Sequence, residues 1–141
     1  MVSANALIVH GGAPTAVINA SLYGAICEAK RHSEIKNFYA AAGGAGAIVR
    51  EALIALFAVS GAELELLPFT PASAIGTSRD PLEGEDYDDI ARVLKKRDIR
   101  YVFFTGGNGS MDACGKVYHA CQRAGVEVCV VGIPKTIDND I

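Results

Sequence analysis

The chain has 141 residues, half of them hydrophobic and 21% charged, with 13 basic and 16 acidic side chains and a net charge of −3. That is one domain's worth of chain with enough apolar surface for a core, which excludes disorder as a description of the whole. No apolar run approaches the roughly 18 residues of a membrane span, the N-terminus has no signal-peptide pattern, and no basic run exceeds Lys95-Lys96-Arg97, so membrane and non-specific nucleic-acid binding are excluded and a cytoplasmic location is expected.

Ala6 to Val9 is a short apolar run that stops at His10-Gly11-Gly12, after which Thr15 or Asn19 opens a helical pattern through Val17, Ile18, Leu22, Ala25, Ile26 and Ala29. The order is strand, glycine turn, helix. Ile35 to Ala41 reads as a second strand, followed by the turn Gly43-Gly44-Ala45-Gly46 and a helix from about Ile48 to Ala58. Leu64 to Phe69 reads as a third strand, and Thr70 to Glu85, rich in proline, glycine and serine, as a long connection of the kind that is usually functional or mobile. A helix capped by Asp86 runs to about Asp98, Tyr101 to Phe104 is an apolar strand, and Gly106 to Ser110 is a second glycine turn. Met111 to Ala124 reads as a helix and Val126 to Ile133 as the last strand, leaving Pro134 to Ile141 beyond it. Tyr101, Phe103 and Phe104 are expected to pack in the core, His32 and His119 to lie at the surface, and His10 to be a satisfied strand-end histidine. Cys27, Cys114, Cys121 and Cys129 form no CxxC pair and lie in apolar patterns, which predicts small buried hydrophobes in a reducing compartment.

Strands apolar on both faces and alternating with helices predict an α/β fold: a Rossmann-like, mostly parallel sheet with helices on both faces, in a single domain over 1–141. In such sheets ligands sit outside the carboxyl ends of the strands. Gly11-Gly12-Ala13-Pro14-Thr15 follows a strand and precedes a helix, so its N–H groups and the positive helix end can face an anion; glycine also suits a tight turn for steric reasons alone. It fits neither GxxxxGK[ST] nor a clean GxGxxG. Gly106 to Ser110 repeats the arrangement at another strand end, and two such turns in one sheet favour a polyphosphate cradle. In the last segment Asp138 and Asp140 stand two residues apart among Lys135, Thr136 and Asn139, so an extended backbone aims both carboxylates to one side. One can accept a proton from an attacking hydroxyl while the other helps hold magnesium, the division that phosphoryl transfer needs; Asp-Asn-Asp is equally ordinary turn composition.

The strings Gly106 to Asp112 and Pro134-Lys135-Thr136-Ile137-Asp138-Asn139-Asp140-Ile141, with Gly12-Ala13-Pro14-Thr15-Ala16-Val17-Ile18-Asn19-Ala20-Ser21 near the start, resemble the phosphofructokinase family, and the branch containing its pyrophosphate-dependent enzymes most. The resemblance implies magnesium-dependent phosphoryl transfer to the 1-hydroxyl of fructose 6-phosphate in glycolysis. It assigns Asp138 as catalytic base, with Arg79 facing the donor phosphates, Lys135 among the catalytic positions as a lysine that helps bind pyrophosphate, and Thr136 contacting the sugar and the transferring phosphate. Gly11, Gly12, Ala13, Gly107, Asn108, Gly109 and Ser110 fall on donor-phosphate positions. Thr136, Asp138 and Asp140 fall on substrate positions, and Asn108 and Asp140 near the metal. Ala13 stands where members have a second glycine, and Asn108 where many have aspartate, which leaves Asp140 as the stronger metal anchor.

Gly109 matches a position that is typically aspartate in pyrophosphate-dependent members, where it occupies the space of an ATP α-phosphate. Glycine removes that obstruction, and Lys135 need not exclude ATP. ATP is therefore the expected donor and pyrophosphate the alternative. The resemblance also implies homo-oligomers, and it places the chain as an N-terminal donor-binding domain cut just after its catalytic loop, so that the isolated 141 residues are expected to be inactive and to expose an apolar sheet face. A phosphate- or nucleotide-binding fragment without catalysis is the competing class. A lipid or NAD kinase relative accounts for Gly106 to Ser110 but not for Pro134 to Ile141.

Overall fold

A computed structural model describes residues 3–79 and 81–138. Five strands form one sheet: β1 (Ala4–His10), β2 (Ile35–Ala41), β3 (Leu53–Ala55), β4 (Ile99–Gly106) and β5 (Cys129–Pro134), in the order β3-β2-β1-β4-β5. The β1–β2, β1–β4 and β4–β5 pairs are parallel and only β2–β3 is antiparallel. The expected α/β class is thus observed.

Each face of the sheet has its own core. On one side α4 (Gly84–Lys96) and α5 (Asn108–Arg123), with the single turn α2 (Gly46–Val49), pack Ile90, Leu94, Val117 and Cys121 on Leu7, Val9, Val102 and Phe104. α4 is amphipathic for this reason, burying Tyr87, Ile90, Ala91, Val93 and Leu94 along one stripe. On the other side α1 (Ile18–Ala29) and α3 (Gly61–Glu65) bring Leu22, Ile26 and Leu64 onto Ala6, Ile8, Phe38 and Ala40. That second layer covers β1 and β2 but leaves an apolar groove of about 580 Å³ beside Tyr101, Phe103, Val131 and Ile133. Phe104 is a core residue as expected, whereas Tyr101 and Phe103 are only partly buried at this groove.

Two elements differ from the sequence reading. The helix expected over 48–58 is α2 followed by the edge strand β3 and a 3₁₀ turn, Leu56–Ala58. The chain reverses at Glu51, a non-glycine residue at φ +53°, whose carboxylate accepts hydrogen bonds from Lys96 (2.6 Å) and Arg97 (2.8 Å) of the α4 end. Reversal lets Ala42 N–H donate to Ala52 and starts the antiparallel ladder with β2. The strand expected over 64–69 is instead α3 and a second 3₁₀ turn, Leu67–Phe69. A capping box fixes that helix: Glu63 N–H donates to Ser60 Oγ, and Ser60 N–H to the Glu63 carboxylate. Leu64 and Leu66, which a strand would put on one face, differ in burial: Leu64 is buried while Leu66 is exposed.

The remaining boundaries move by a few residues. α5 begins at Asn108, so the second glycine turn is the strand end, the N-cap Gly107 and the first turn of the helix. All four cysteines are free; Cys121 is buried and Cys114 half-buried, with burial pushing both thiols up to about 11, but Cys27 and Cys129 are exposed, contrary to expectation. They sit on the outward side of α1 and at the start of the edge strand β5. His32 and His119 are at the surface. No helix among the described residues is long and apolar enough to cross a membrane.

Removing the capping hydroxyl with Ser60→Ala should cost about 1 kcal/mol. Chemical denaturation measures it, and an unchanged midpoint would contradict a helix start at Ser60.

Candidate anion and phosphoryl-transfer site

The strand order sets where a ligand can sit. After β1 the chain crosses to β2 on one side, while β4 pairs on the other, so the connections leaving β1 and β4 diverge to opposite faces and open a crevice at their carboxyl ends. Gly11 and Gly12 leave β1 there, directly beside Thr105 and Gly106 of β4, with Gly11 N–H donating to Thr105 (2.9 Å). The two strand ends approach closely because Gly106 has no side chain: a Cβ on it would overlap Ser110 and come 3.0 Å from the Gly11 carbonyl. Gly12 turns the chain away at φ +70°, a conformation natural to glycine.

The result is a cavity of about 370 Å³ lined by His10, Gly11, Gly12, Ser78 and Arg79 on one side and by Gly109, Ser110, Asp112 and Lys116 of α5 on the other. Ala45, Pro81, Leu82, Tyr87 and Ala113 give it an apolar wall. The first turn of α5 presents its N–H groups and positive helix end at this opening.

Lys135 lies beside these strand ends without lining the cavity. Its N–H continues the β5 pairing to Gly106 (2.9 Å), and its side chain, only 6% exposed, reaches across the end of β4 so that Nζ donates to the Ala13 carbonyl. Among the described residues no carboxylate pairs with it, and burial followed by the nearby Arg79 guanidinium lowers its pKa. Arg79 likewise has no carboxylate partner among the described residues and is exposed at the cavity mouth. Two cations without carboxylate partners among the described residues, beside a glycine turn and a helix N-terminus, make this a candidate site for an anion.

His10, fully buried at the end of β1, shares a hydrogen bond between Nδ1 and Ser73 Oγ (2.8 Å), while Nε2 has no partner. It is therefore half satisfied, not fully as the sequence reading expected. Burial, with the Lys135 charge second, lowers its pKa to about 4, which keeps the ring neutral beside the two cations. Thr15 Oγ1 and Thr105 Oγ1 are also buried without partners at these strand ends.

Most residues singled out from the sequence thus converge: Gly11, Gly12, Ala13, Gly107, Asn108, Gly109, Ser110, Arg79 and Lys135 all lie at or beside the cavity. Thr136 and Asp138 follow Lys135 out of the sheet, with Asp138 exposed and its N–H bonded to Thr136 Oγ1 (3.1 Å). Asp140 lies outside the described residues. Sequence reasoning missed Asn19 and Ser73. Asn19 is a fully buried polar residue in the apolar stripe of α1, which was a readable signal, and it grips the connection after the second 3₁₀ turn through Thr70, Ala72 and Ala74.

The donor set suits magnesium better than zinc. The candidates Asn108 and Asp140 offer hard oxygen ligands, and the described residues hold no cluster of three or more histidine, cysteine or acidic side chains. Magnesium needs no such cage, keeping several waters and sharing phosphate oxygens with its substrate.

The phosphofructokinase family matches residues 5–141. The pyrophosphate–fructose 6-phosphate 1-phosphotransferase of Rhodospirillum rubrum is 36% identical over 141 residues, covering all of this chain and 35% of that protein. The crystal structure of a pyrophosphate-dependent phosphofructokinase from Nitrosospira multiformis superimposes with a TM-score of 0.93 at 35% identity, over 99% of this chain and 35% of that one. ATP-dependent 6-phosphofructokinase 7 of Arabidopsis thaliana is 42% identical, but over 67 residues, 48% of this chain and 13% of that protein. The chain thus spans about a third of the length of the relatives that it matches throughout.

The His10 pKa fixes the sign of a pH effect. Between pH 6.5 and about 4 the unfolded chain is protonated at this residue and the folded one is not, so the stabilisation is complete above pH 6.5 and is lost as pH falls towards 4. The loss is on the order of 2–3 kcal/mol. Thermal melts over this range should show His10→Gln with a flatter profile than the parent, and parallel profiles would refute a neutral buried imidazole.

Proposed function

Because the chain belongs to the phosphofructokinase family, we propose that it supplies the donor side of a phosphotransferase in which inorganic pyrophosphate phosphorylates the 1-hydroxyl of fructose 6-phosphate. The observation that carries the reading is Lys135. Buried, without a counter-charge among the described residues and anchored on the Ala13 carbonyl, it ties the Pro134 to Asp138 segment to the phosphate turn of β1. The relatives matched along the whole chain, named for pyrophosphate, support the same donor.

In this reading the donor lies across the ends of β1 and β4. The N–H groups at the start of α5 hold its oxygens, the Gly11-Gly12 backbone lets it come close while its own N–H groups stay on Thr105 and Ser78, and Arg79 and Lys135 balance its charge. Asp138 takes the proton of the sugar 1-hydroxyl as its oxygen bonds to the terminal phosphorus; the bridging P–O bond breaks and orthophosphate leaves. Thr136 orients the acceptor. Asn108 and Asp140 would be the residues to hold magnesium, which would supply neutralisation of phosphate charge. His10 stays uncharged behind the cradle, so it adds no third cation and keeps its Ser73 contact.

ATP is the second reading, favoured by two observations. A Cβ at Gly109 would meet nothing within 4 Å, so nothing fills the space beside the cradle, and the cavity continues onto the apolar wall of Pro81, Leu82 and Tyr87. Steady-state turnover of the full-length protein with each donor decides: activity with pyrophosphate and none with ATP is expected, and activity with ATP alone overturns the proposal. In an enzyme that accepted both, Gly109→Asp should abolish ATP use and spare pyrophosphate. Asp138→Ala should lower kcat by about 10²- to 10⁴-fold with the donor KM little changed, in keeping with loss of a general base; retained kcat would remove Asp138 from the reaction.

A further inference from the structure

The connection from Thr70 to Arg79 is a strap tied down at four places. Asn19, fully buried on α1, donates from Nδ2 to the carbonyls of Thr70 (2.8 Å) and Ala72 (2.9 Å) and accepts at Oδ1 from Ala74 N–H (2.8 Å). Ser73, between those points, meets His10 Nδ1 at 2.8 Å. Gly43 N–H donates to Ile75, and Thr77 Oγ1 and Ser78 bond to Gly12. Arg79 is the next residue, at the cavity mouth.

The first tie also holds a strained backbone. Ala72 sits at φ +62°, in the left-handed region that a residue with a Cβ enters only where its surroundings impose it. Its carbonyl and the groups on either side of it are the three that the Asn19 carboxamide grips. A carboxamide is the side chain for this task because it presents two donors and an acceptor on one short arm. Leucine or alanine there would extend the apolar stripe of α1 and leave all three backbone groups to find other partners.

We infer that Asn19 is a positioning residue: through the strap it fixes where Arg79 stands relative to the Gly11-Gly12 turn, and so sets the anion affinity of the cavity from the far side of β1. The inference rests on the reading of that cavity as the donor site. A misplaced guanidinium loses orientation, and small displacements of a binding group carry large rate penalties.

Amide exchange and binding of inorganic pyrophosphate, measured on the full-length protein, test it. Asn19→Ala should speed exchange over residues 73–79 while β1 and β4 keep their protection, and should weaken pyrophosphate binding by about 10-fold. In an Arg79→Ala background Asn19→Ala should add little, because the residue acts through Arg79. Ala72→Gly introduced with Asn19→Ala should recover part of the affinity, since glycine holds a positive φ without the clamp. Unchanged exchange over 73–79, or losses that add in full with Arg79→Ala, would overturn the inference and leave Asn19 a packing residue. Should Asn19→Ala not fold, Ser73→Ala removes one tie and carries the same cycle with a smaller loss. If the parent protein binds no pyrophosphate, the donor reading fails by itself, exchange still reports on the strap, and the cycle is run with ATP.

Discussion

The ends of β1 and β4 must lie close enough for Gly11 N–H to reach the Thr105 carbonyl, and nearly everything at the site depends on that approach. Gly106 permits it by having no side chain where Ser110 packs, which brings the first turn of α5 against the turn that leaves β1. With the backbones in contact, the N-terminal end of α5 and the glycine turn after β1 share one opening. Because β2 and β4 flank β1 on opposite sides, the connections leaving β1 and β4 diverge and leave an opening between them, with Thr77 and Ser78 bonded along the Gly12 edge.

Among the described residues neither Lys135 nor Arg79 has a carboxylate partner at the crevice. Asp112 pairs with Lys116 at the cavity rim, while Glu51 pairs with Lys96 and Arg97 at the α4 end and Asp88 with Arg123 away from it. Lys135 instead gives its ammonium to a carbonyl. Leaving buried or half-buried positive charge uncompensated costs stability, a cost that an anionic ligand offsets when it binds. His10 stays neutral behind Lys135 and Arg79, chiefly because it is buried and secondarily because of the Lys135 charge.

The central architecture was legible because periodicity and burial agree there. β1, β2, β4 and α4 are long, patterned segments whose apolar positions became the two cores. The segment from Ile48 to Phe69 was not legible, because tertiary contacts decide it: Glu51 holds a left-handed turn through cations more than forty residues away, and an apolar run wraps as short helices instead of extending. Only the Ser60 and Glu63 spacing carried a local signal. At the site, the glycine turns and Lys135 were visible as motifs. The work of Asn19 was not, since a buried asparagine on a helix says that a partner exists without saying which loop provides it.

The strand order also bears on synthesis from the ribosome. β2 and then β3 extend one edge of β1, and β4 and then β5 extend the other, so each strand joins an edge already displayed and none has to be threaded between partners that have paired. The strap can be tied once α1 and β1 exist, long before Lys135 emerges. Vectorial folding therefore brings the two glycine turns together before Lys135 arrives, as a latch thrown across a crevice already built.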